Sequence, residues 1–207
     1  LDSERGRVSV RATNDSEAHA WYLKGLHHWN QRTREGLSLS RECFLKAIER
    51  DPRYTLPYVS LANSHTIAAF YGLDVGERAL PEARRLLGTA LAVDPGLPEA
   101  HAALGFVTFL YDRNWPAAER CFKRALALGP NHPTTSVWYA LCSSWVGQAE
   151  KAFEILERAY WCDPLSPLTA TARGVLLYQR RRYDEALEQL RQVLQIDPDY
   201  PLAHLHL

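Results

Sequence analysis

The chain has 207 residues, 46% apolar and 23% charged, enough to bury a continuous core beneath an ordinary polar surface. Lys plus Arg and Asp plus Glu number 24 each, so the formal net charge is zero. That excludes nucleic acid as the expected partner, because phosphate binding needs a clustered positive field, and no apolar run approaches the roughly 18 residues of a membrane span.

Residues 1–16 read as a polar linker from an upstream domain, with Asn14-Asp15-Ser16 placed to cap the first helix. Arg and Asp break the first apolar stretches, so no signal peptide is read there. The chain opens on Leu1 and contains no Met, which points to a fragment or a processed product.

Five X-Pro steps then set a rhythm: Asp51-Pro52, Asp94-Pro95, Gly129-Pro130, Asp163-Pro164 and Asp197-Pro198. The prolines fall 43, 35, 34 and 34 residues apart. Proline cannot continue a helix and restricts the residue before it, so each marks a helix end. Ahead of each lies a segment with apolar residues at helical spacing. In the last of these they are Ala186, Leu187, Leu190, Val193 and Leu194.

A second register runs through the same segments. A small residue recurs in each first helix as Gly25, Ala62, Gly105, Ala140 and Gly174, and another opens each second helix as Ser40, Ala83, Ala118, Ala152 and Ala186. A large apolar place holds Phe44, Leu87, Phe122, Leu156 and Leu190. Small residues let paired helices approach, and the large one is expected to plug the next groove. The register predicts five helix-pair repeats at 18–54, 55–97, 98–132, 133–166 and 167–200, with 201–207 opening a sixth, truncated one. Repeat one carries a few extra residues between its helices, near Arg32 to Gly36. Repeat two carries more, and Ala69 to Gly76 is expected to extend its first helix and turn before Pro81.

These residues resemble the tetratricopeptide repeat (TPR) family, whose 34-residue unit ends on proline. The resemblance implies an all-α fold, a right-handed superhelical solenoid of antiparallel helix pairs. Particular phrases resemble the TPR regions of multidomain bacterial regulators: Trp21-Tyr22-Leu23-Lys24-Gly25, Phe70-Tyr71-Gly72, Tyr111-Asp112-Arg113-Asn114-Trp115 and Asp163-Pro164-Leu165-Ser166. In that group the array accompanies a winged-helix, Ser/Thr kinase or cyclase domain, often with a TolB-like segment. This implies a cytoplasmic sensory or scaffolding arm, with a periplasmic arm of a membrane-anchored regulator as the alternative.

No phosphate-binding loop, nucleophile elbow, HExxH or dinucleotide fingerprint is present, so no enzyme, cofactor or metal is expected. His27 and His28 are adjacent and diverge by about 100° on a helix, which prevents joint chelation. Cys43, Cys121, Cys142 and Cys162 form no C-x-x-C pair and read as small buried thiols. Arg180-Arg181-Arg182 falls at a turn followed by Asp184 and Glu185, and reads as solvated.

The resemblance places a binding groove on the first helices. Its predicted lining is Tyr22, Leu26, Trp29, Asn63, Phe106, Phe109, Leu110, Leu141, Trp145 and Tyr178. Trp29, Phe106, Phe109, Trp145 and Tyr178 would anchor an apolar peptide or amphipathic helix. The partner is therefore expected to be a protein or peptide. The alternatives are that some of these aromatics are core, or that the groove packs against the chain itself or a second copy.

Overall fold

The computed structural model describes residues 13–31 and 33–207, and those residues are all-α, with no strand among them. Most of the expected linker, residues 1–12, lies outside the described residues, as does Arg32. Among the described residues eleven α-helices follow in order: α1 Ser16–Asn30, α2 Arg34–Arg50, α3 Thr55–Phe70, α4 Gly76–Val93, α5 Pro98–Val107, α6 Trp115–Leu128, α7 Pro133–Trp145, α8 Ala149–Cys162, α9 Pro167–Gln179, α10 Tyr183–Ile196 and α11 Pro201–His206. A π-helical turn, Thr108–Asp112, follows α5. The chain divides into two compact units, one up to Asn114 and one from Trp115 to Leu207.

In the first unit α1 pairs with α2 and α3 with α4, while α3 also packs on α2 and α5 on α4. In the second, α7 pairs with α8 and α9 with α10, and α11 lies against α9 and α10. The paired helices bury different amounts of surface. First helix α3 buries Pro57, Val59, Leu61, Ala62, Ser64, Thr66, Ile67 and Ala68 as well as Thr55, leaving few faces to water. Second helix α10 buries only Ala186, Gln189, Leu190 and Val193, a single stripe at helical spacing. In the pairs opened by α3, α7 and α9 the first helix is the more enclosed member, whereas α1 buries only Ala18 and Gly25.

Close pairing depends on the small residues. A Cβ on Gly25 would overlap the Phe44 ring, and one on Gly174 would stand 3.0 Å from Leu190 Cδ2. The large residue thus seats on the small residue of its own hairpin, where the sequence pattern suggested the next groove. Neighbouring pairs are also joined by a buried Ser40–Ser64 hydroxyl hydrogen bond of 3.1 Å.

The repeat prolines sit in one recurring turn. The carbonyls of Asp51, Asp94, Gly129, Asp163 and Asp197 each accept from the N–H three residues on, at 3.0 to 3.3 Å. Prolines 98, 133, 167 and 201 then open the next helix, where a missing N–H costs nothing. The turns within pairs differ from these. Gly72, Arg113, Gly147 and Arg181 take φ of 67°, 52°, 83° and 61°, the left-handed conformation that ends a helix.

Repeat two departs from the expectation. Helix α4 starts at Gly76, so Pro81 lies inside it rather than just before it. The extra residues are shared between a long α3 and an added first turn of α4.

A charged contact ties the second helix of one repeat to the inner turn of the next. Arg41 meets Asp74 at 3.0 Å, Arg84 pairs with Asp112, and Glu150 meets Arg180 at 2.9 Å. The sign is reversed in the last of these.

Candidate interaction surface

In the first unit the predicted groove residues come from α1, α3, α5 and the π-helical turn. Tyr22, Leu26 and Trp29 are half-buried along α1. The Tyr22 ring packs edge-on against Tyr54, with centroids 5.2 Å apart, and lies 6.0 Å from Phe44. Its hydroxyl bonds with Ser60 and lies near the Glu99 carboxylate, and burial pushes its pKa up. Asn63 is half-buried, its Oδ1 enclosed without a hydrogen-bond partner.

Phe106 requires a correction. It is 2% exposed, with its ring 5.9 Å from that of Phe70, so it is a core residue of the first unit and not a groove anchor. Apolar residues surround α5 on nearly every side, from Ala100 and Ala102 through Gly105 to Val107, so helical spacing alone could not tell its open face from its packed ones. Phe109 and Leu110 lie in the π-helical turn and are half-buried.

In the second unit Leu141 is half-buried, while Trp145 is 42% and Tyr178 64% exposed. Both aromatics stand at the C-terminal ends of first helices, α7 and α9. Trp145 walls a pocket of ≈ 310 Å³ with Ser144, Ala149, Leu176, Gln179 and Arg180. Across it the Ser144 hydroxyl donates to Gln179 Oε1 at 2.5 Å. Tyr178 rests on Tyr183, with ring centroids 5.4 Å apart, and lines a second pocket of ≈ 410 Å³ with Val175, Leu187 and Leu205.

Sequence reasoning missed Ser60 and Arg180. Ser60 lies on the groove side of α3, three residues before Asn63, so helical spacing alone could have added it. Arg180 is not simply solvated: it bonds Glu150 and covers the Phe153 ring at 4.7 Å. Of the two residues after it, Arg181 takes the left-handed turn and Arg182 pairs with Glu185. The cysteines also divide: Cys43 and Cys142 are buried, but Cys162 is exposed. No group of three or more His, Cys, Asp or Glu among the described residues could hold a metal ion. No helix among them is long and apolar enough to cross a membrane.

Paired α-helices with a recurring proline turn and large apolar side chains seated on glycine define a helical-repeat protein. Residues 174–207 match the family model described as TPR repeat. The fold is similar to that of a thermophilic TPR protein from Thermus thermophilus, with a TM-score of 0.73 at 18% identity, covering 91% of this chain and 95% of that one. It is also similar to human IFIT1, solved as a dimer with m7Gppp-AAAA, with a TM-score of 0.71 at 18% identity, covering 91% of this chain and 45% of that one. Among curated proteins, anaphase-promoting complex subunit 3 of Schizosaccharomyces pombe is 25% identical over 170 residues, 82% of this chain. The match spans 24% of that relative's length. The family-model match covers a single repeat of the chain, and the likeness to the solved structures is one of fold.

Proposed function

We propose that this chain is a non-catalytic protein–protein interaction scaffold whose first helices take up a peptide or an amphipathic helix. TPR proteins are generally scaffolds of this kind, and one observation carries the reading here. Trp145 and Tyr178, 42% and 64% exposed, stand at matching ends of successive first helices beside open pockets. Burying such a side chain stabilises a complex by roughly 1.5–3 kcal/mol, and aromatic anchors beside pockets are where binding energy concentrates. Leu141 belongs to the same proposed surface. In the first unit Tyr22, Leu26, Trp29, Asn63, Phe109 and Leu110 form its counterpart, without Phe106.

The balanced charge favours a protein partner over nucleic acid. The regulator-like phrases around Trp21, Tyr111 and Asp163 support a sensory or partner-binding arm of a bacterial signalling or transcriptional regulator, working in the cytoplasm.

The test is selection of a displayed peptide library on the chain, followed by titration of the selected peptide. Trp145→Ala and Tyr178→Ala should each weaken binding about 10-fold or more at unchanged melting temperature. Undiminished affinity in both variants would remove the reading.

A further inference from the structure

An apolar patch lies away from that surface, where α8 runs into α9 beside the end of α10. Trp161 and Leu165 are each 70% exposed there, and Ile196 is 58% exposed. The repeats supply their own control. Three residues before the repeat proline stand Glu49, Ala92, Ala127, Trp161 and Gln195, all exposed. One residue after it stand Arg53, Gly96, Asn131, Leu165 and Asp199. Four repeats therefore fill both places with small or polar side chains, and one fills both with large apolar ones. Neither the turn nor the hairpin needs them, since the turn hydrogen bond is the same in all five repeats.

We infer that this patch is a two-fold interface with a second copy of the chain. Its shape carries both halves of such a contact. Trp161 projects as a knob, packed edge-on against Tyr160 with ring centroids 5.6 Å apart. Tyr160 and Leu165 in turn line a pocket of ≈ 300 Å³, with Pro164, Ala170, Val193 and Ile196. A knob beside a hole on one patch is self-complementary, as a two-fold contact requires, because each copy then fills the other's pocket. A foreign partner would call for only one of the two.

The charges agree. The polar part of the lining is the neutral amides of Gln189, Gln192 and Gln195, which repel no copy of themselves. Arg158 and Asp163 bracket Trp161 with opposite signs, and both are exposed. A two-fold axis through the patch can set each against its opposite in the other copy.

Sedimentation velocity of the whole chain, from micromolar to submillimolar concentration, tests the interface. A monomer–dimer equilibrium is expected. Trp161→Gln and Leu165→Asp import the residues that repeat five uses at these places, so melting temperature should hold while the dissociation constant rises about 30-fold or more. Arg158→Glu and Asp163→Lys should each weaken the dimer, and their combination should restore it. A wild-type chain that stays monomeric throughout overturns the inference, leaving the patch to a partner of another sequence. A dissociation constant left unchanged by Trp161→Gln overturns it as well.

Discussion

The ring of Phe44, in α2, occupies the space that a side chain on Gly25, in α1, would need. Two helices of one hairpin meet there at a distance that only glycine allows. Gly25→Ala should therefore destabilise the first unit by about 1–3 kcal/mol through overpacking. Gly174→Ala meets Leu190 Cγ and Cδ2 at 3.0 Å, a milder overlap than that with the Phe44 ring, and should cost less. Urea unfolding of the two variants measures the difference, and equal losses would contradict it.

Burial separates the aromatics into two classes with different consequences. Phe106→Ala should cost about 3–5 kcal/mol, the ordinary loss for an enclosed phenyl ring. Trp145→Ala and Tyr178→Ala should stay within about 0.5 kcal/mol of the parent, as exposed substitutions do. Thermal melts followed by circular dichroism distinguish these cases.

Glu119 in α6 gathers two partners from the next hairpin and one from its own helix. It accepts from the Tyr139 hydroxyl at 2.9 Å, pairs with Lys151, and meets Lys123 at 3.2 Å. The Lys151 hydrogen bond leads in lowering its pKa, to about 2 from 4.5. A depressed carboxylate stabilises the fold above its unfolded pKa, and that stability drains away as pH falls from 4.5 towards 2. The partly exposed setting screens the pair, so about 1 kcal/mol is expected. Glu119→Gln should lower stability at neutral pH by that amount and flatten its decline through the same acid range. A parallel decline in parent and variant would show that Glu119 contributes nothing.

Left-handed turns give a fourth test. Gly147→Ala places a side chain at φ 83° and should cost about 1 kcal/mol. Arg181 already bears that strain at φ 61°, so Arg181→Asn should raise stability by a few tenths of a kcal/mol. The urea midpoints should move in opposite directions.

How far the sequence was legible follows from what each signal measures. Proline marks a helix end through its own geometry, so Asp51-Pro52 and its four counterparts located the turns directly. Pro81 misled because it stands inside α4, past the first turn where proline is ordinarily tolerated, and the spacing did not show that α4 begins at Gly76. The helix pairs were legible because the second helices carry a single stripe, as in α10. The open face of the first helices was not, since α3 and α5 are apolar nearly all round and are packed from several sides. Phe106 therefore looked like an anchor and is core, while Trp145 and Tyr178, at helix ends beyond the packed layer, stay exposed. Trp161 was passed over because a pattern search rewards agreement between repeats, and its information lies in the disagreement.

The charged contacts between repeats bear on how such a chain can vary. Arg41 and Arg84 offer a cation to the following turn, where Asp74 and Asp112 receive it, whereas Glu150 offers an anion to Arg180. A segment carrying Arg180, transplanted behind α4, would face Arg84 with like charge. The helical pairs look interchangeable in outline, yet their joints are keyed by polarity. Unequal recombination between repeats, or a strand of chain docking one repeat out of order during folding, would meet repulsion where the native neighbour meets a partner.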